Sequence, residues 1–347
     1  MPGRSGANGS AAGGAEVAGL SPRAELLAGV GLLAMAGAAL ALALLFRFVD
    51  RLPKARPNAR SLHQRPICRV GGLSIWAGWL PAMALAPGSL PGGAAAWAAW
   101  AAVAAVSLVD DWRGVPPLPR LGVHLAAAWL AAATLPGVGG LGATVLAVLT
   151  LAWSANLYNF MDGSDALAAT MAACGFGALA AGAAIGGASV LPALALVAAC
   201  LPLLAANAPP ARIFMGDIGA VPLGFLAALL GLAGWGAGTW PAWFPLLVFL
   251  PFVADASVTL AARAWRRERV WEAHRSHHYQ RLHQLGAGHR GTLLVYGVLM
   301  AGTGGSAVFA LATGLPGWVV LGGWCVAIAA VFAGIDYHWW IRQRNSP

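Results

Sequence analysis

The sequence predicts an all-α integral membrane protein, a polytopic bundle of about eleven transmembrane helices. Three observations lead there. Of 347 residues, 59% are hydrophobic and only 10% charged, a balance that excludes an ordinary soluble domain. The apolar runs have helix length, which favours helices over a barrel. Positive residues fall between those runs, in alternate loops and so on one side of the counted spans.

In chain order, residues 1–22 are rich in Gly, Ala and Ser and read as a disordered tail. Residues 23–341 read as a single transmembrane domain and 342–347 as a short tail. The first span, Ala24–Phe46, is too long for a signal-peptide core and lacks a cleavage site after it, so an uncleaved helix is expected. The loop Arg47–Arg69 carries Arg51, Lys54, Arg56, Arg60, Arg65 and Arg69, and the positive-inside rule makes it cytoplasmic. Further spans fall at 71–87, 93–109, 121–137, 141–158, 166–186, 190–206, 219–236, 241–259, 292–313 and 317–336, several cut by Gly or Pro. Counting crossings puts 110–120, 159–165, 207–218, 260–291 and the C-terminal tail on the cytoplasmic side. Apart from Arg4 and Arg23, every Lys and Arg then lies on that side. No internal repeat or domain linker stands out.

Cys68, Cys174, Cys200 and Cys325 are scattered, without disulfide or zinc spacing. The formal charge of +9 has no basic-aromatic module to go with it, so nucleic acid is not an expected partner. Phosphate-bearing ligands and anionic lipid headgroups of the bilayer are.

The stretch Asn156–Ala169 places two amides and two carboxylates in apolar surroundings. Asn156, Asn159, Asp162 and Asp165 recur every three residues, which on a helix end would set them along one face. A carboxylate at the centre of a bilayer costs roughly 2.5–3.5 kcal/mol on insertion scales, so two of them call for a partner or a wet site. Asp110 and Asp111 close the third span. Two charges about 4 Å apart at an effective dielectric near 20 repel by roughly 4 kcal/mol, which favours a shared proton, a cation or neutralisation by Arg113.

After the seventh span, Pro209-Pro210 ends the helix, Gly216 permits close backbone approach, and Asp217 stands where the next helix begins, as metal or phosphate holder or as N-cap. Phe214 offers a face for a base to stack on, or a membrane-interface anchor. The loop Arg263–Arg290 carries seven arginines and five histidines, His274, His277, His278, His283 and His289, suited to diphosphate as well as to topology. In His63–Gly72 the glycine pair opens the second span and offers backbone amides to a phosphate, with His63, Arg65 and Arg69 adding charge.

Five of the twelve acids, Asp110, Asp111, Asp162, Asp165 and Asp217, thus sit in three loops expected to share one face, flanked by basic loops. Carboxylates beside phosphate are a habitat of Mg²⁺. The expectation is metal-assisted phosphoryl transfer by cytoplasmic catalytic loops.

At these residues the chain resembles the polyprenyl-phosphate N-acetylhexosamine-1-phosphate transferases, in four ordered motifs from His63 to His289. The resemblance implies transfer of a sugar 1-phosphate from a UDP-sugar to undecaprenyl phosphate at the bacterial inner membrane, with Mg²⁺ or Mn²⁺ as cofactor. It implies that Asp217, with Asp162, holds metal, and that Asp110 and Asp111 deprotonate or position the lipid phosphate. Asn159, Asp162 and Asp165 resemble the segment lining the metal and nucleotide site. Asn207 and Phe214 resemble the residues that hold and stack uracil, and Arg275 and His277 resemble histidine-loop residues near the diphosphate; His63 and Arg69 add substrate-binding charge. Ala166 stands where the family usually has glycine, Cys68 where proline is common, Ile218 and Ala220 where small polar residues are usual, and His277-His-Tyr-Gln280 in place of His-x-His-His. That last form resembles the branch serving O-antigen and other surface glycans. The alternative class is an ion-coupled transporter or lipid carrier, which would place its ionisable groups near the midplane. A homodimer is compatible with the apolar spans.

Overall fold

The computed structural model describes residues 22–55, 62, 66–269 and 274–345. The expected disordered tail, His63 and Arg65 lie outside the described residues.

The helices are α1 (Pro22–Arg47), α2 (Gly72–Ala84), α3 (Gly93–Arg113), α4 (Pro117–Ala132), α5 (Gly140–Phe160), α6 (Leu167–Ile185), α7 (Leu191–Asn207), α8 (Asp217–Gly236), α9 (Trp243–Val248), α10 (Leu250–Trp265), α11 (His278–Leu282), α12 (Gly288–Thr313) and α13 (Gly317–Asn345). All eleven expected spans are found as helices, with the ninth divided between α9 and α10 at Phe249. Pro251 explains the division, since its ring blocks the helical bond to the preceding turn. Among the described residues, seven helices are long and apolar enough to cross a membrane, and α7 is a shorter apolar one.

Helix α8 is the core of the bundle. It is apolar on every side, with 78% of its span buried, as expected of a helix surrounded by others. It packs on α2, α3, α5 and α6. By contrast, α1 and α13 have only 22% and 17% of their spans buried, leaving broad apolar faces outward. With apolar lipid outside, helices associate through close packing of small residues. Gly224 shows this, because a Cβ there would lie 2.6 Å from the Tyr158 Cβ of α5. The Ser154 hydroxyl donates across the same contact to the Gly224 carbonyl at 2.8 Å.

Two short strands, β1 (Lys54–Ala55) and β2 (Ile67–Cys68), pair antiparallel. The chain beyond β2 pairs with the loop before α8: Phe214 N–H donates to Cys68 at 2.8 Å, Gly71 N–H to Phe214 at 2.9 Å and Gly72 N–H to Met215 at 2.8 Å. The glycine amides expected to meet phosphate are therefore committed to these carbonyls. The pairing carries Arg69 to the start of α8.

Gly224→Val is expected to force α5 and α8 apart at a cost of about 1–3 kcal/mol, read as a lower unfolding midpoint in detergent. An unchanged midpoint would show that the two helices separate freely at this contact.

Candidate active site

Helix α8 begins at Asp217, and its first amides have no partner within the helix. Asp111, from the end of α3, supplies the acceptors: Oδ1 takes the Asp217 N–H at 3.2 Å and Oδ2 the Ile218 N–H at 2.8 Å. Arg69 Nε donates to the same Asp111 Oδ1 at 2.8 Å, and its Nη2 lies 3.7 Å from Asp217 Oδ1. Gly216 makes this approach possible: its φ is +72°, and any side chain there would strike the Arg69 carbonyl.

Asp110 points elsewhere. Neighbouring helical side chains diverge by about 100°, and the two carboxylates take different partners. Asp110 Oδ1 accepts the Val115 N–H at 2.6 Å, and Oδ2 pairs with Arg120. Arg120 Nη1 also donates to Asp217 Oδ2 at 3.1 Å, which ties Asp110 to Asp217. Arg69 and Arg120 thus do what was expected of Arg113. Sequence reading missed Arg120, whose sole signal was a positive residue ten positions after Asp110.

Asn156, Asn159, Asp162 and Asp165 do not share a helical face, because α5 stops at Phe160. Asn156 bonds to the Ala152 carbonyl at 2.7 Å and to buried His124 Nδ1 at 3.3 Å. Asn159 Nδ2 donates to Asp217 Oδ2 at 3.3 Å. Burial, with Asp217 and Asp111 close by, holds the Asp162 carboxyl well above the usual carboxylate range. Asp165 Oδ2 accepts the Ala211 N–H at 3.0 Å, and its own N–H donates to His289 Nδ1 at 3.2 Å. His289 had been read only as one of several loop histidines.

Asn207 is buried, and its amide is satisfied at both ends by backbone. Its Oδ1 accepts the Ala166 N–H at 2.8 Å and its Nδ2 donates to the Ile213 carbonyl at 2.7 Å. These two bonds tie the turn before α6 to the loop before α8. Phe214 is half-buried on the second of those loops. Ala166 adopts φ +60°, which accounts physically for glycine being usual at that position.

The histidine loop is fixed by a residue sequence reading passed over. Asp255, fully buried on α10, accepts the His278 N–H at 2.8 Å, the Tyr279 N–H at 3.0 Å, the Tyr296 hydroxyl at 2.5 Å and the Thr259 hydroxyl at 3.1 Å. His277 Nδ1 lies 3.5 Å from Asp255, and its ring stacks on Phe160, two residues before Asp162. The Tyr279 hydroxyl donates to the Phe160 carbonyl at 2.9 Å. His278 stacks on Phe332 at 3.9 Å. Arg275 is exposed and lines a cleft of about 490 Å³ with Leu62, His283, Gln284, Trp339 and Arg342. Among the described residues no ion pair joins Arg275 to the aspartate cluster.

A family model described as glycosyl transferase family 4 matches residues 94–234, the segment from α3 to α8 that carries all five loop aspartates. A decaprenyl-phosphate N-acetylglucosaminephosphotransferase of Mycolicibacterium smegmatis is 30% identical over 300 residues, 70% of this chain and 71% of that protein. The chain belongs to the polyprenyl-phosphate N-acetylhexosamine-1-phosphate transferases of glycosyl transferase family 4. Other members of family 4 similar to it are a probable undecaprenyl-phosphate N-acetylglucosaminyl 1-phosphate transferase of Bacillus subtilis, 27% identical over 69% of this chain and 72% of that protein. A phospho-N-acetylmuramoyl-pentapeptide-transferase of Synechococcus sp. is 37% identical over 37% of this chain and 34% of that protein. The chain is a multi-pass membrane protein.

Two substitutions probe this arrangement. Asn207→Ala is expected to lower stability by about 2 kcal/mol through two unmet backbone groups, seen in thermal unfolding. Unchanged stability would overturn the tying role, and weakened nucleotide binding would support the expected contact with uracil. Ala166→Gly is expected to raise stability by about 1 kcal/mol by relieving the left-handed backbone; a lower unfolding temperature would refute the strain.

Proposed function

We propose that this family 4 protein transfers an N-acetylhexosamine 1-phosphate from a UDP-sugar to undecaprenyl phosphate, giving undecaprenyl-diphosphate-sugar and UMP. The step initiates a cell-surface glycan at the cytoplasmic face of a bacterial inner membrane. The observation that supports it is the meeting of Asp110, Asp111, Asp162 and Asp217 with Arg69 and Arg120 at one end of the bundle. The relatives' names supply the chemistry: each is a transferase acting on a polyprenyl phosphate or a phospho-sugar.

In the reaction, an oxygen of the lipid phosphate attacks the β-phosphorus of the UDP-sugar and forms a new P–O bond. The bond from that phosphorus to the bridging oxygen breaks, and its electron pair leaves on UMP. A phosphate monoester is mostly ionised near neutrality, so the nucleophile needs orientation more than deprotonation. Asp110, held by Val115 and Arg120, is placed for that orienting role. Arg69 and Arg120 can donate charge-assisted bonds to phosphate oxygens as charge builds on them.

The side chains fit Mg²⁺. Asp217 and Asp162 offer hard oxygen donors, and Mg²⁺ takes one or two carboxylates while keeping waters and binding phosphate. Among the described residues no group of three or more His, Cys, Asp or Glu side chains is placed to hold a metal ion by itself. Bound there, the ion would neutralise charge on the phosphoryl oxygens. The burial-raised Asp162 carboxyl, crowded by two other carboxylates, is the kind of group a cation stabilises. A transporter reading has less support, since these acids gather at one end of the bundle.

Asp217→Asn is expected to cut Mg²⁺-dependent UMP release by about a thousandfold or more while the protein stays monodisperse in detergent. A panel of UDP-sugars, UDP-N-acetylglucosamine first, with undecaprenyl phosphate would identify the donor. Full activity in the variant would remove Asp217 from the metal site, and no UMP from any donor would overturn the reaction.

A further inference from the structure

Asp255 stands apart from the loop aspartates, on α10 and inside the bundle. A fully buried carboxylate in apolar surroundings is costly unless it is paired, and this one is met from three elements. Thr259 lies one turn on along α10, Tyr296 reaches in from α12, and the His278 and Tyr279 amides open α11. The break between α9 and α10 at Phe249 lies less than two turns before it. Two of the five loop histidines turn Nδ1 toward this carboxylate, His278 at a hydrogen-bond distance of 3.2 Å and His277 at an ion-pair distance of 3.5 Å, where its Nδ1 makes no hydrogen bond.

The two rings differ in what lies on their other side. His278 lies flat on Phe332, with Nε2 3.6 Å from Asp336 of α13, so it is held between two carboxylates. The His277 ring stacks on Phe160 and so borders the turn that carries Asp162. A carboxylate facing Nδ1 fixes the tautomer and rotation of an imidazole and leaves Nε2 for the other partner.

We propose that Asp255 is a positioning residue for phosphoryl transfer that acts through His277, holding its ring against the Asp162 turn with Nε2 toward the diphosphate. The inference rests on the transfer reaction proposed above. Asp255 itself touches no substrate; its carboxylate sets the histidine that does.

The test is a double-mutant cycle on the full-length protein in detergent, with UMP release from a UDP-sugar and undecaprenyl phosphate as readout. Asp255→Asn is expected to lower kcat by roughly 10–100-fold while KM for the UDP-sugar moves by less than about threefold. In the His277→Ala background the same change is expected to cost less than about threefold, because the side chain it acts through is gone. Effects that multiply in the double variant, or wild-type kcat in Asp255→Asn, overturn the proposal. If Asp255→Asn fails to fold, Tyr296→Phe enters the same cycle. That change strips one donor from the carboxylate, and a drop in kcat of about threefold that vanishes without His277 is expected. A wild-type protein inactive on every UDP-sugar overturns the reaction and this inference together, whereas an active one with multiplicative effects overturns the inference alone.

Discussion

The cap that Asp111 places on α8 is the contact the rest of the site depends on. In a bundle surrounded by lipid, an unmet backbone amide costs several kcal/mol, and the most buried helix presents its first amides at Asp217 and Ile218. Asp111 meets both from another helix, and its negative charge sits at the positive end of the α8 dipole. Arg69 balances that charge in turn. The same backbone bonds that stabilise α8 aim the Asp217 side chain at Asn159 and Arg120. Scaffold and chemistry therefore use the same atoms.

A second set of contacts joins the loops at that end into one body. Asn207 bonds the turn after α5 to the loop before α8, Asp165 bonds the same two segments through Ala211, and His289 brings in the start of α12. These are side chains bonding to backbone amides and carbonyls of other segments. Such bonds let irregular chain persist beside apolar helices, where water is not at hand to satisfy it.

What the sequence revealed was local. Apolar runs marked the helices, and Gly216 the place of close backbone approach, whereas the break before Pro251 and the positive φ of Ala166 came from the structure. The grouping of aspartates was legible as well, because each lies at a helix boundary where an ionisable group is otherwise hard to explain. Roles that depend on direction were not. Adjacent numbering suggested that Asp110 and Asp111 act as a pair, whereas the helix turns one to Arg120 and the other to α8. Asn207 has an amide suited equally to a base or to backbone, and only its surroundings decide. Asp255 was silent because, apart from Thr259, its hydrogen-bond partners lie 23 to 41 residues further on, with no spacing to announce them.

Arg120 gives the site one more property. With its guanidinium between Asp110 and Asp217, two carboxylates that would otherwise repel are held together by the protein's own cation. The acidic end of the bundle is thereby kept assembled without help from solution. Were a divalent ion held at Asp217, as proposed, it would compete with this resident positive group, and loading would be an exchange of counterions.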